Sequence, residues 1–191
     1  MLRHTARIAA RILIFFICLG CATPQAQLSA PAPNPEFKKL HVLVGDWTYV
    51  GEYKAGPWGP GGQITGECRI RFILHGFVLE GRMTEKNAHG EAHFLEIDVY
   101  DTAASEIRFS EYSDADTSYS GIIRVIGQTI VRNGTVTAAE KQFAVKETLI
   151  LTTDHTSATV KGELSSDKKT WLPYFEAELT NKLTEAGRAV K

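Results

Sequence analysis

Cysteine is scarce. There are 3 in 191 residues, and two of them, Cys18 and Cys21, stand near the N-terminus, so no disulfide framework exists and only Cys68 falls in the part of the chain that folds. Charge excess is absent as well: 21 basic residues face 22 acidic ones, a net of −1, which argues against nucleic acid as a partner. The apolar run from Ile12 to Leu19 is well short of the roughly 20 residues a membrane-spanning helix needs. No segment keeps a helical period long enough for a βαβ unit, and no internal repeat is visible. The Gly-x-Ser-x-Gly elbow of serine hydrolases and the Gly-rich phosphate loop ending in Gly-Lys-Ser/Thr are both missing.

What is present begins with an export pattern. Arg3, Arg7 and Arg11, with no acidic residue among them, precede the apolar run, and small residues and prolines follow it, the layout of a secretory signal peptide. Cys18-Leu19-Gly20-Cys21 resembles a bacterial lipoprotein signal, in which Cys21 would be lipidated and become the mature N-terminus. Ordinary cleavage after Ala22 or Ala26 is the alternative. Residues 1–21 are thus read as the signal and residues 22–35, rich in Ala, Pro, Gln and Ser, as a linker unable to bury enough apolar surface to fold. Loss of the three arginines leaves 18 basic against 22 acidic residues, a net of −4. Residues 36–182 are one domain's worth of chain, and residues 183–191 a polar tail.

Within the domain, Phe37 to Val44 suits a short helical turn plugging one end, and Gly45 breaks it. Asp46 to Lys54 then alternates Trp47, Tyr49, Gly51 and Tyr53 against Asp46, Thr48, Val50 and Glu52, a strand pattern rich in aromatics. Ala55 to Gly62 is a Gly/Pro loop, and Gln63 to His75 alternates again. Further strands are expected at 77–86, 91–101, 106–113, 118–126, 129–132, 142–153, 156–164 and 171–182, with Asn133-Gly134 read as a hairpin turn. Nine or ten closely spaced strands joined by short turns make an all-β protein. An up-and-down antiparallel β-barrel is favoured, because closure removes the exposed edges of a meander.

Several motifs resemble a known family. The segment from Leu43 to Arg82 carries Gly45-Asp46-Trp47, the loop Gly56-Pro57-Trp58-Gly59-Pro60-Gly61-Gly62, then Gly66-Glu67 and Leu74-His75-Gly76-Phe77-Val78-Leu79-Glu80. It is similar to the bacterial family called domain of unknown function 1579. Late in the chain, Ser165-Ser166-Asp167-Lys168-Lys169-Thr170-Trp171 stands where that family tends to show Ser-x-Asp-Gly-x-x-Trp, with Lys168 in place of the glycine. The resemblance implies a lipocalin-like barrel and brings no activity and no catalytic residues.

Candidate chemistry is sparse. Cys68 alternates with Ile64, Gly66, Ile70 and Phe72 and reads as a buried, inert thiol. His89, Glu91 and His93 have the composition of a metal site, but Glu91 and His93 alone share a strand face and a closed site needs about four ligands, so a solvated turn is favoured and no metal is assigned. Ser165 to Lys168 has the Ser-x-x-Lys spacing of some acyl-transfer enzymes in a turn rather than on a helix. Haem binding would need an inward His late in the chain, and His155 and His75 both lie at turns. No cofactor is assigned.

Mid-strand charges are more informative. Glu96 and Asp98 share a face with Phe94 and Tyr100. The bland expectation is that they face water; the functional one is that they line a lumen, with Arg71, Arg82 or Arg124 as partners, since buried charges are costly unless paired. Ligand-binding candidates are therefore Trp47, Tyr49, Arg82, Glu96, Asp98 and Tyr112, with Trp47 read first as a structural plug at the barrel base. The leading expectation is an exported, non-enzymatic binder of a small apolar or amphipathic molecule, touching a membrane only through an anchor at Cys21. The alternatives are an enzyme using Glu96, or Glu80 with Arg82, and an envelope module whose lumen is filled by its own side chains.

Overall fold

The computed structural model describes residues 32–56, 59–88, 90–138 and 140–182. The chain enters through a one-turn helix, α1 (Pro35–Lys38), continued by a 3-10 turn (Lys39–Leu43). Proline at the first helical position costs nothing, because its missing N–H would be unpaired there anyway. The Asn34 side chain accepts a hydrogen bond from the Glu36 N–H at 2.8 Å and caps the start.

Ten strands follow: β1 (Gly45–Tyr53), β2 (Gly62–Ile73), β3 (Val78–Asn87), β4 (Gly90–Asp101), β5 (Glu106–Ser113), β6 (Thr117–Ile126), β7 (Thr129–Ala138), β8 (Lys141–Leu151), β9 (Ser157–Ser165) and β10 (Leu172–Asn181). Each pairs antiparallel with its neighbours in sequence, and β1 pairs with β10, from Trp47 opposite Asn181 to Tyr53 opposite Phe175, which closes the barrel. The up-and-down barrel expected from the strand rhythm is the architecture found, with ten strands.

The helical segment packs at one end. Phe37 and Leu40 are fully buried, and Phe37 meets Phe72 edge to face with ring centroids 5.5 Å apart. The Trp47 indole N–H donates to the Leu43 carbonyl at 2.8 Å, tying β1 to that turn. Trp47 thus acts as the plug while its ring also borders the lumen.

One turn assignment fails. Asn133-Gly134 is not a hairpin but the middle of β7, with Gly134 opposite Gly121 of β6. A Cβ on Gly121 would lie 2.1 Å from the Asn133 carbonyl oxygen, and one on Gly134 would lie 2.1 Å from that of Ser120. The glycine there serves close strand approach rather than a turn, and the chain reverses into β8 only near Glu140, whose φ is +65°. Ending the strand at Arg132 hid what that residue does.

Candidate functional site: an acid-rich lumen

In a closed barrel alternate residues of every strand point inward. Here they enclose a cavity of about 590 Å³, within the usual range for small-molecule pockets. Much of its wall is apolar or aromatic, with Ile70, Met83, Phe143, Val160, Phe175 and Leu179 among the lining residues. Cys68 lies in this wall, and burial pushes its thiol pKa up, which makes it a poor nucleophile.

A charged cluster crosses the lumen. Arg132, on β7, donates to Glu96 of β4 at 2.7 Å. Its other terminal nitrogen lies 3.3 Å from Glu147 of β8, and Glu111 of β5 stands 3.7 Å away. The guanidinium carbon sits 4.2 Å from the centre of the Phe109 ring and 4.8 Å from that of Tyr119, so aromatic faces complete the cation's surroundings. Tyr174 donates its hydroxyl to Glu147. Four carboxyl side chains and one guanidinium are thereby brought together from four strands, because Asp98 follows Glu96 on the inward face of β4 and is 99% buried, its relative exposure being 1%.

Burial works against the Arg132 charge, and Glu96, Glu147 and Glu111 together hold the guanidinium ionised. The carboxyls exceed what one cation can neutralise. Burial, reinforced by the neighbouring Glu96, pushes the Asp98 pKa well up. Burial also raises Glu111, Arg132 opposing it and Glu96 adding to it. Like-charged carboxyls in a desolvated space share protons rather than all ionise. Nearer one end, Glu85 accepts from Tyr53 at 3.2 Å and from Tyr49 at 3.4 Å, and its pKa too is raised by burial.

Three buried side-chain atoms among the described residues have no hydrogen-bond partner: Asp98 Oδ1, the Tyr119 hydroxyl and Arg132 Nε. All three side chains line the cavity. Unsatisfied buried polar atoms cost about 1–3 kcal/mol each, so these three are destabilising as they stand. Among the described residues no group of three or more His, Cys, Asp or Glu is arranged to hold a metal ion.

Residues 32–180 match the family described as "Protein of unknown function (DUF1579)". The chain belongs to this family. The DUF1579 barrel is also similar to the crystal structure of Rv2717c from M. tuberculosis, with a TM-score of 0.58 and 13% identity over 78% of this chain and 99% of that one. At that identity the likeness establishes the fold alone. No curated protein matches the sequence.

Within this DUF1579 barrel the sequence candidates divide by strand face. Trp47, Tyr49, Glu96 and Asp98 line the lumen, so the expectation that Glu96 and Asp98 face water is overturned by the register of β4. Arg82 and Tyr112 do not line it. Arg82 is exposed on the outer face of β3, holding Glu80 at 2.8 Å, and Tyr112 is 59% exposed on β5. Each lies an odd number of positions from an inward neighbour on its strand, Met83 for one and Glu111 for the other, and alternation sends it outside. The pairing of Glu80 with Arg82 as cavity catalysts fails for the same reason. Arg71 pairs with Asp46 at 2.7 Å rather than with the lumen acids, and Arg124 is exposed. His93 is exposed beside Asp114 at 2.9 Å and Glu91 at 3.3 Å, while His89, Trp58 and Cys21 lie outside the described residues. Sequence reasoning missed Arg132, Glu147, Glu85 and Tyr119. An available signal was Arg132 at even spacing from Ile130, obscured once Asn133-Gly134 was taken for a turn.

Proposed function

We propose that this protein is an exported, non-enzymatic binder that holds one small amphipathic molecule inside the barrel. The observation that carries the reading is the cavity of about 590 Å³, apolar over much of its wall and lined by side chains that carry buried polar atoms without partners. A lumen filled by its own side chains, the structural-module alternative, would leave neither the space nor the orphaned atoms. The export half of the proposal rests on the N-terminal Arg-rich, apolar and small-residue pattern, with Cys21 as the lipidated residue or ordinary cleavage after Ala22 or Ala26.

The test of binding is titration of the purified protein with an apolar fluorescent probe, preceded by native mass spectrometry of protein prepared without detergent. One probe per chain is expected. Filling the lumen by Ala158→Phe, at a buried cavity position, should abolish uptake, whereas Arg82→Gln on the outer face should not change it. Absence of both a co-purifying molecule and probe uptake refutes the binding reading. The intact mass of protein taken from the producing cell's envelope decides the export half: a full-length chain with residues 1–21 retained overturns it.

A further inference from the structure

The ionisable residues on the cavity wall are unbalanced. Among the described residues five carboxyls line it, Glu85, Glu96, Asp98, Glu111 and Glu147, against Arg132 and Lys141, and Lys141 is exposed, which leaves Arg132 among the acids. We propose that the guest is an organic cation bearing N–H donors, a protonated amine on an apolar body, with its head group at Asp98. The inference rests on the binding reading above and names the ligand class for that site.

An acidic cluster alone would not point to a guest, since such groups can share protons with each other. The deciding observation is Asp98, an almost wholly buried residue of the cavity wall whose Oδ1 accepts no hydrogen bond. An acceptor left open asks for a donor. The Tyr119 hydroxyl, on another residue of the cavity wall, is also unpartnered, and Phe109 and Tyr119, whose ring centroids lie 4.5 Å apart, already present faces to the Arg132 cation. Aromatic faces and carboxylates both favour a cation. A metal ion would need a compact set of carboxylates, and no such set is present among the described residues. A fatty carboxylate would add a further negative group to a space where one guanidinium is already shared by Glu96, Glu111 and Glu147. Like charge in a desolvated site is strongly disfavoured.

The charge balance gives the amine a measurable signature. A bound ammonium favours the ionised form of the carboxyl it meets, so a proton leaves Asp98 or its neighbours for the solvent. A bound carboxylate would do the reverse and draw a proton in. The groups that share this balance are Glu96 on the same strand, Glu111 opposite Glu96 on the adjacent β5, Tyr119 on β6, Arg132 on β7 and Glu147 on β8, and Glu85 beside Tyr49 and Tyr53.

The experiment is calorimetric titration of the full-length protein with decylamine, decanoate and decanol, one tail with three head groups, each repeated in two buffers of different ionisation enthalpy. Decylamine is expected to bind at least tenfold more tightly than decanol and to release a proton; decanoate is expected to bind more weakly than decanol. In Asp98→Asn, decylamine should lose about tenfold in affinity and decanol should be unchanged, with the unfolding midpoint recorded to show that the variant is folded. Binding of decanol or decanoate as tight as that of decylamine, or proton uptake with decylamine, overturns the head-group assignment while leaving the binding reading intact. Binding of none of the three overturns both. The wild-type series decides the matter by itself should Asp98→Asn fail to fold.

Discussion

Replacing Arg132 by methionine is the sharpest test of how the lumen is held together. Methionine keeps apolar contact with the Phe109 and Tyr119 rings that the guanidinium now covers and removes only the charge and the donors. Three ion pairs are lost, at 2.7 Å to Glu96, 3.3 Å to Glu147 and 3.7 Å to Glu111, all between side chains retaining 19% exposure or less, and that exposure opens on the cavity. Each pair is worth gross on the order of 4 kcal/mol at the effective dielectric suited to such sites, much of it offset by desolvation. Breaking one side of a buried pair costs about 3–5 kcal/mol net, which we take for Arg132→Met at pH 7.5. The deficit is mainly electrostatic, so it must depend on pH. Without the guanidinium, which opposes the rise at both, Asp98 and Glu111 have still higher folded-state pKa values. A group with a raised folded pKa contributes full stability below its unfolded value, about 4 for a carboxyl, and loses it as pH rises through the folded value. Lowering pH by two units recovers up to about 2.7 kcal/mol for each extra proton that the folded variant binds. Urea unfolding of both proteins at pH 7.5 and 5.5 is the assay, with the deficit expected to shrink to about 1 kcal/mol at the lower pH. A deficit equal at the two pH values, or below about 1 kcal/mol at pH 7.5, refutes the account of Arg132 as the counter-ion of the lumen acids.

Two more outcomes follow from the same geometry. Wild-type stability should peak in mildly acidic solution: Asp98, Glu111 and Glu85, with raised pKa values, lose their contribution as pH climbs above about 4. Asp167, held down to about 2 by the Thr170 and Lys169 N–H groups and the Ser165 hydroxyl, contributes above about 4 and loses that as pH falls toward 2. A urea midpoint that rises steadily from pH 4 to pH 8 would contradict this. Lys168→Gly should stabilise the protein by about 1 kcal/mol, because Lys168 holds a left-handed φ of +60° in the β9–β10 turn, where a side chain is strained and glycine is not; a lowered thermal midpoint would show that the lysine makes a compensating contact.

The sequence determined the class of fold. Period-two alternation with aromatic and β-branched residues is a local signal, readable strand by strand, and so were the turns at His75-Gly76 and at Ser165 to Lys169. It also exposed Lys168 as the residue standing where the resembling family has glycine, and the backbone there has the conformation glycine favours. Glu96 and Asp98 were legible as mid-strand charges that needed an explanation. Which way they point was not legible, because a strand with charged and apolar residues on both faces reads alike in either register, and only closure of β1 on β10 decides which face is the lumen. The same ambiguity put Arg82 and Tyr112 among the candidates and left Glu147 and Glu85 out. Arg132 was lost for a different reason: a local rule took Asn-Gly for a hairpin, whereas the glycine is required by close contact with Gly121 on the neighbouring strand. The acid-rich centre joins residues of β4, β5, β7 and β8, Arg132 and Glu96 being 36 positions apart. Convergence of side chains across a closed sheet is a property of tertiary structure, set by strand register and barrel curvature, and no local pattern carries it.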